Sequence, residues 1–137
     1  MRSLLVLALI ACGSKAPPAQ TKPAPASADD PSCPLVVPGT SLSVEDTANG
    51  AALVFVTTGD AAAVRTRASE LAAMHTRHEG PASALGMMFS ASSTAKSSDI
   101  DRGARVEFTA KKPDDVAAVQ SELHMHAGHL TGGSCAM

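Results

Sequence analysis

One short pattern occurs twice in this chain of 137 residues. Residues 69–78 read SELAAMHTRH, and residues 121–129 read SELHMHAGH, with one residue fewer. The agreement extends upstream, because D-x-x-x-G-A-x-x-x-F occurs at residues 46–55 and again at residues 99–108. We therefore expect the folded part of the chain to be one structural unit written twice.

The first copy predicts two strands followed by a helix. Alternating residues in Ser41–Glu45 and an apolar run in Ala51–Thr57 indicate strands, the second of them central because it is apolar on both faces. An apolar stripe with helical spacing predicts a helix over residues 61–78. Asp60 stands before it as a helix cap, because its carboxylate can accept backbone N–H groups that lack a partner.

The second copy repeats this order. Thr94–Ser98 is polar and predicts an edge strand, and Ala104–Thr109 predicts an inner one. Pro113 and the acidic residues after it are typical of a helix start. The sequence therefore predicts an α+β fold, a duplicated ββα-ββα two-layer sandwich with a four-stranded, mostly antiparallel sheet and two helices on one face. The strand order and the relative direction of the helices stay open.

The N-terminus has the features of an export signal. Arg2 is followed by an apolar run over Ser3–Ala11 that is too short to span a bilayer. The run ends in Leu9-Ile10-Ala11-Cys12, which resembles the lipobox of bacterial lipoproteins. That resemblance implies cleavage before Cys12, acylation of this cysteine and anchoring to membrane lipid, and Gly13 after it favours the outer membrane, facing the periplasm. An ordinary secretory signal peptide is the alternative, and it leads to the same compartment.

Three regions are therefore expected. Residues 1–11 form the signal peptide, residues 12–32 hold the lipidated cysteine and a Pro/Ala-rich linker, and residues 33–137 form the duplicated domain. Proline-rich linkers are extended at about 3.1 Å per residue, so this one reaches about 60 Å. Between the helix of the first copy and the strand that follows, Pro81–Ser93 carries Gly86-Met87-Met88-Phe89. We expect this apolar group to cover an edge of the core, although an exposed tip is the alternative.

Two further cysteines bracket the domain. If Cys12 is acylated, Cys33 and Cys135 remain as an even pair in an oxidising compartment, which predicts a disulfide. Two free thiols, or a thiolate that binds a metal, are the alternatives. The formal net charge of −2 shows no basic excess of the kind that nucleic-acid binding needs.

Both copies end in Met-His-x-x-His, at Met74 and at Met125. Histidines three apart on a helix can face one point, which suits copper or zinc, and nearby sulfur atoms provide soft ligands. The spacing lacks the two histidines four apart and the glutamate of zinc proteases. No nucleophile elbow or phosphate-binding glycine loop is present either, so no enzyme activity is predicted. The candidate metal ligands are His75, His78, His126 and His129, with Met74, Met87, Met88, Met125 and Cys135 as adjuncts.

A structural role for these histidines is the competing interpretation, because histidines near a helix end stabilise the last carbonyl groups. Parallel helices would gather all four imidazoles at one site, whereas a two-fold relation between the copies would separate the pairs. We therefore predict a membrane-anchored periplasmic lipoprotein that acts as a non-enzymatic binding or envelope-associated module, with a protein or metal partner that the sequence does not name. A copper- or zinc-binding protein is the alternative.

Overall fold

The computed structural model of the chain describes residues 32–77 and 92–130, apart from the side chain of His129. It confirms the α+β fold, with two strands and a helix in each copy. Short 3-10 turns precede β1 and the second helix. The elements in chain order are the turn Pro34–Val36, β1 (Thr40–Thr47), β2 (Gly50–Thr57), α1 (Ala61–Arg77), β3 (Ser93–Ile100), β4 (Gly103–Ala110), the turn Pro113–Asp115 and α2 (Val116–His129).

The four strands form one antiparallel sheet in the order β1-β2-β4-β3. The central position of β2 and the edge position of β3 are therefore as predicted. All four strands are longer than their sequence patterns indicate, because ladder hydrogen bonds extend to end residues that hydrophobic periodicity does not detect. Each helix packs on the sheet, and the core lies between the helices and the inner face. The buried strand residues on this face are Ala51, Leu53, Phe55, Ala104, Val106 and Phe108.

The two copies are related by an approximate two-fold axis through the middle of the sheet. Leu53 and Val106 occupy equivalent positions in the two copies, and they also face each other in the β2–β4 ladder. A residue that pairs with its own equivalent must lie on the symmetry axis. Both side chains are fully buried.

Phenylalanine and alanine pair across this axis. Phe55 of the first copy faces Ala104 of the second, and Ala51 of the first faces Phe108 of the second. Directly opposed residues in a ladder contact each other on one face, so each small side chain leaves room for the large one opposite. The repeated Ala-x-x-x-Phe pattern therefore encodes the interface between the two copies.

The repeated glycine has a steric reason. A Cβ atom at Gly50 would overlap the carbonyl oxygen of Phe108, and a Cβ atom at Gly103 would overlap that of Phe55. Each central strand therefore begins with a glycine where any side chain would overlap the backbone of the neighbouring strand. A backbone bond closes each end of this ladder, from Thr57 N–H to the Arg102 carbonyl and from Ala110 N–H to the Asn49 carbonyl.

Each helix packs mainly on the strands of the other copy. α1 contacts β3 and β4, whereas α2 contacts β2 and β1. Polar side chains on the helices fix these positions by bonding to equivalent strand residues. Arg65 of α1 donates to the carbonyl of Ile100, at 2.8 Å, and Gln120 of α2 donates to the carbonyl of Thr47, at 3.1 Å. The two copies are therefore interlocked and share one core.

The helices run antiparallel. Each helix runs in the opposite direction to the strand that precedes it in the chain. Those two strands, β2 and β4, are themselves antiparallel. The C-terminal ends of α1 and α2 therefore lie at opposite ends of the sheet. Of the two arrangements left open by the sequence, this is the two-fold one, which separates the histidine pairs.

The segment before β1 adds to the core in a way that the sequence pattern does not indicate. Leu35 within the 3-10 turn and Val37 directly after it are buried, and the turn contacts α1 and β1. Cys33 is buried and disulfide-bonded. The other two cysteines lie outside the described residues, so the pairing of Cys33 with Cys135 stays a prediction.

The helices begin close to their predicted starts. The Asp60 carboxylate accepts the N–H of Ala63 at 3.1 Å, which confirms the predicted cap of α1. The loop that holds Gly86-Met87-Met88-Phe89 lies outside the described residues. Within the described part of the chain, neither helix is long and apolar enough to cross a lipid bilayer.

Candidate functional site

His75 is part of the core. It lies on the buried face of α1 and is fully enclosed. Its Nε2 atom is 3.0 Å from the hydroxyl oxygen of Ser93, the first residue of β3. Its ring meets Phe108 of β4 edge to face, with centroids 5.0 Å apart and an interplanar angle of 76°. His75 therefore joins α1 to two strands of the other copy.

This environment gives His75 a structural role. An imidazole can bind a metal only through a nitrogen lone pair that points to an accessible ion. One ring nitrogen of His75 is within hydrogen-bond distance of a buried hydroxyl, and the ring packs against an aromatic core residue. A metal at Nε2 would have to displace Ser93 and open the core beside Phe108.

The histidines of α2 are placed differently. His126 is half-buried, and the neighbouring His124 is exposed. His124 Nε2 lies 3.0 Å from a carboxylate oxygen of Asp46 in β1. The two rings are thus in different surroundings, because residues two apart on a helix project to nearly opposite sides.

Several predicted ligands lie outside the described structure. These are His78, Met87, Met88, Cys135 and the side chain of His129. Of the methionines within it, Met74 is buried, whereas Met125 is exposed. The described residues contain no group of three or more His, Cys, Asp or Glu side chains that could hold a metal ion. Metal binding by either histidine pair stays a prediction.

The repeated aspartate is a feature whose role the sequence does not indicate. Asp46 contacts His124 of α2, and the equivalent Asp99 lies 3.8 Å from the guanidinium of Arg65 in α1. Each aspartate thus holds the helix of the other copy. The signal for this role is the repeat itself, because both aspartates stand at the same distance before the repeated glycine.

The two edge strands differ in their hydrogen bonds. In β3, the outward N–H and C=O of Ala95 both bond to the Thr76 hydroxyl of α1, at 3.2 and 3.0 Å. In α2 the equivalent position is Ala127, whose methyl group cannot make these bonds. The strand residue equivalent to Ala95 is Leu42 of β1.

The edge of β1 is open from Leu42 onward. Successive residues in an antiparallel ladder point their N–H and C=O groups to alternate sides. Thr57 bonds towards β4, so Val56 faces β1 and pairs with Ser41. Leu42 and Val44 therefore direct their backbone groups away from the sheet. Within residues 32–77 and 92–130, no hydrogen bond reaches them from that side.

Charged side chains do not protect the edge of β1. Natural edge strands often carry charges, especially lysine, that disfavour pairing with another strand. The acidic residues of β1 are engaged within the molecule, Glu45 with Arg105 and Asp46 with His124. At the equivalent outer position of the two edges, β3 has Lys96 and β1 has Ser43.

An open cleft of about 390 Å³ lies between the β1–β2 turn and the start of α2. Lys112 supplies the only charged side chain in its lining. None of the histidines described above lines this cleft. The cleft lining consists of Ala48, Asn49, Thr109, Ala110, Lys112, Pro113 and Val116.

Comparisons with protein-family models, with curated proteins and with solved structures give no match to this chain. Its function is therefore inferred from its own residues. The two features that distinguish the described surface are the exposed His124–Asp46 pair and the open edge of β1.

We expect His75→Ala to lower the free energy of unfolding by about 2–4 kcal/mol, because it removes a buried ring and leaves the buried Ser93 hydroxyl without its partner. His124→Ala is the matched control, and it should cost less than about 1 kcal/mol because this pair is exposed. Chemical denaturation measures both. If His75→Ala left the stability unchanged but abolished zinc or copper binding, the structural role would be wrong.

Proposed function

We propose that this chain is a lipid-anchored protein of the bacterial envelope whose domain is a non-enzymatic binding module. Its partner is a polypeptide segment in extended conformation, which adds to the sheet beside β1. The observation that carries this proposal is the difference between the two edges. One is capped by Thr76 and carries Lys96, and the other has neither.

Strand addition matches the chemistry of this edge. An added strand bonds to main-chain N–H and C=O groups, and its alternate side chains contact the side chains on each face. The open groups of Leu42 and Val44 provide such bonds on an eight-residue strand. Both side chains are half-buried and pack against the core, so a neighbouring strand would remove further apolar surface from water.

The N-terminal region supports an anchored module. The lipobox at Leu9–Cys12 implies attachment through acyl chains, and the Pro/Ala-rich linker would hold the domain away from the lipid surface. The described fold begins at Ser32, and β1 follows within ten residues. The proposed binding edge is therefore in the first strand after the linker.

The anchor is tested by fractionation of cells that produce the chain. We expect Cys12→Ser to move the protein from the membrane fraction to the soluble fraction, because the acylated thiol is lost. Gly13→Asp keeps the cysteine and should leave the protein in the membrane fraction. If Cys12→Ser stayed with the membrane like the unchanged chain, Cys12 would not be the anchor.

The open edge is tested by residue-resolved hydrogen exchange at high dilution. We expect the amides of Leu42 and Val44 to exchange at least about tenfold faster than that of Ala95, since only the Ala95 amide has a hydrogen-bond acceptor on the edge side. Thr76→Ala should remove most of this difference. Slow exchange at Leu42 and Val44 would show that another part of the chain already covers β1.

A further inference from the structure

We infer that the strand which pairs with β1 is β1 of a second copy of this chain. This inference rests on the proposed function, because it uses the same open edge and names its occupant. Two copies would join their four-stranded sheets into one continuous sheet of eight strands. The interface would be two-fold and would lie at the edge opposite β3.

The hydrogen bonds of β1 favour an antiparallel pair centred on Ser43. In that register Leu42 faces Val44 of the second copy, and Val44 faces its Leu42. Both residues direct their N–H and C=O groups outward, so each facing pair exchanges two main-chain bonds. The N–H of Thr40 already donates to the carbonyl of Val37, at 3.2 Å, so the added strand is expected to pair from Leu42 onward.

The side chains of β1 complement each other in this register. On the inner face, Leu42 and Val44 of the two copies place apolar groups opposite each other. On the outer face, the Glu45 carboxylate lies opposite the Ser41 hydroxyl of the second copy. No like charges face each other directly in this register. Directly opposed like charges would destabilise the pair. The side chains of a second copy are therefore compatible with those of β1 on both faces of the sheet.

Ser43 is the residue on which this pairing depends. It faces its own equivalent across the two-fold axis, at a position without main-chain bonds where Cα atoms come within about 4.5 Å. The hydroxyl is small and uncharged, and the side chain is exposed. Lys96 stands at the equivalent position of β3, where a charge would meet the same charge of a second copy. The two edges thus differ at the point where self-pairing is decided.

The test is sedimentation analysis of the whole chain downstream of the predicted signal peptide, carrying Cys12→Ser so that it stays in solution. We expect a reversible dimer. Ser43→Lys and Ser43→Glu should each raise its dissociation constant at least tenfold, because like charges then meet at the axis. Mixing these two variants should restore dimers to within a few-fold of the unchanged chain, since opposite charges face each other. Lys96→Ser is the matched control and should leave the dissociation constant unchanged.

A chain that stays monomeric, a dimer that Ser43→Lys does not weaken, or a mixture of the two variants that does not associate would each overturn the inference. Hydrogen exchange of the same samples distinguishes a failure of the pairing between copies from a failure of the open edge itself. A monomer with fast-exchanging Leu42 and Val44 amides overturns only the pairing between copies. A monomer in which those amides are slow overturns the open edge as well, because a segment of the same chain then lies on β1.

Discussion

The fold depends on the contact between the two central strands, where each phenylalanine of the repeat lies opposite an alanine of the other copy. Phe55 fills the space left by Ala104, and Phe108 fills the space left by Ala51. The contact requires the strands to approach so closely that only glycine fits at Gly50 and Gly103. Because neither copy holds a phenylalanine–alanine pair of its own, neither buries its inner face without the other.

The symmetry of the core makes the asymmetry of the surface informative. A duplicated unit starts with two identical edges, yet here one edge has Thr76 and Lys96 where the other has Ala127 and Ser43. The first set blocks strand addition and the second permits it. In contrast, His75 makes a buried contact with Ser93 and Phe108, which gives this histidine a structural role in the core.

Local patterns predicted the strands, the helices, the fold class and the central place of β2, because hydrophobic periodicity reports which face of each element is buried. Strand order and helix direction depend on long-range pairing, which periodicity does not encode. The buried turn at Leu35 was not predicted, because its apolar residues follow neither a helical nor a strand periodicity. His75 lies on the buried face of α1, but the sequence pattern alone cannot distinguish a core imidazole from a metal ligand. The difference between the edges emerged only when the strand order showed which residues are equivalent.

The most direct test of the interlocked core is a double-mutant cycle across the ladder. Phe55→Ala should cost about 3–5 kcal/mol of unfolding free energy and Ala104→Phe about 1–3 kcal/mol, because one leaves a cavity and the other overfills the core. The double variant exchanges the pair and conserves its volume, so we expect it to be more stable than the sum by at least about 1 kcal/mol. Phe55→Ala with Ala51→Phe is the control, since it sets two phenylalanines against each other. Additive losses in the Phe55/Ala104 pair would contradict a core built on this contact.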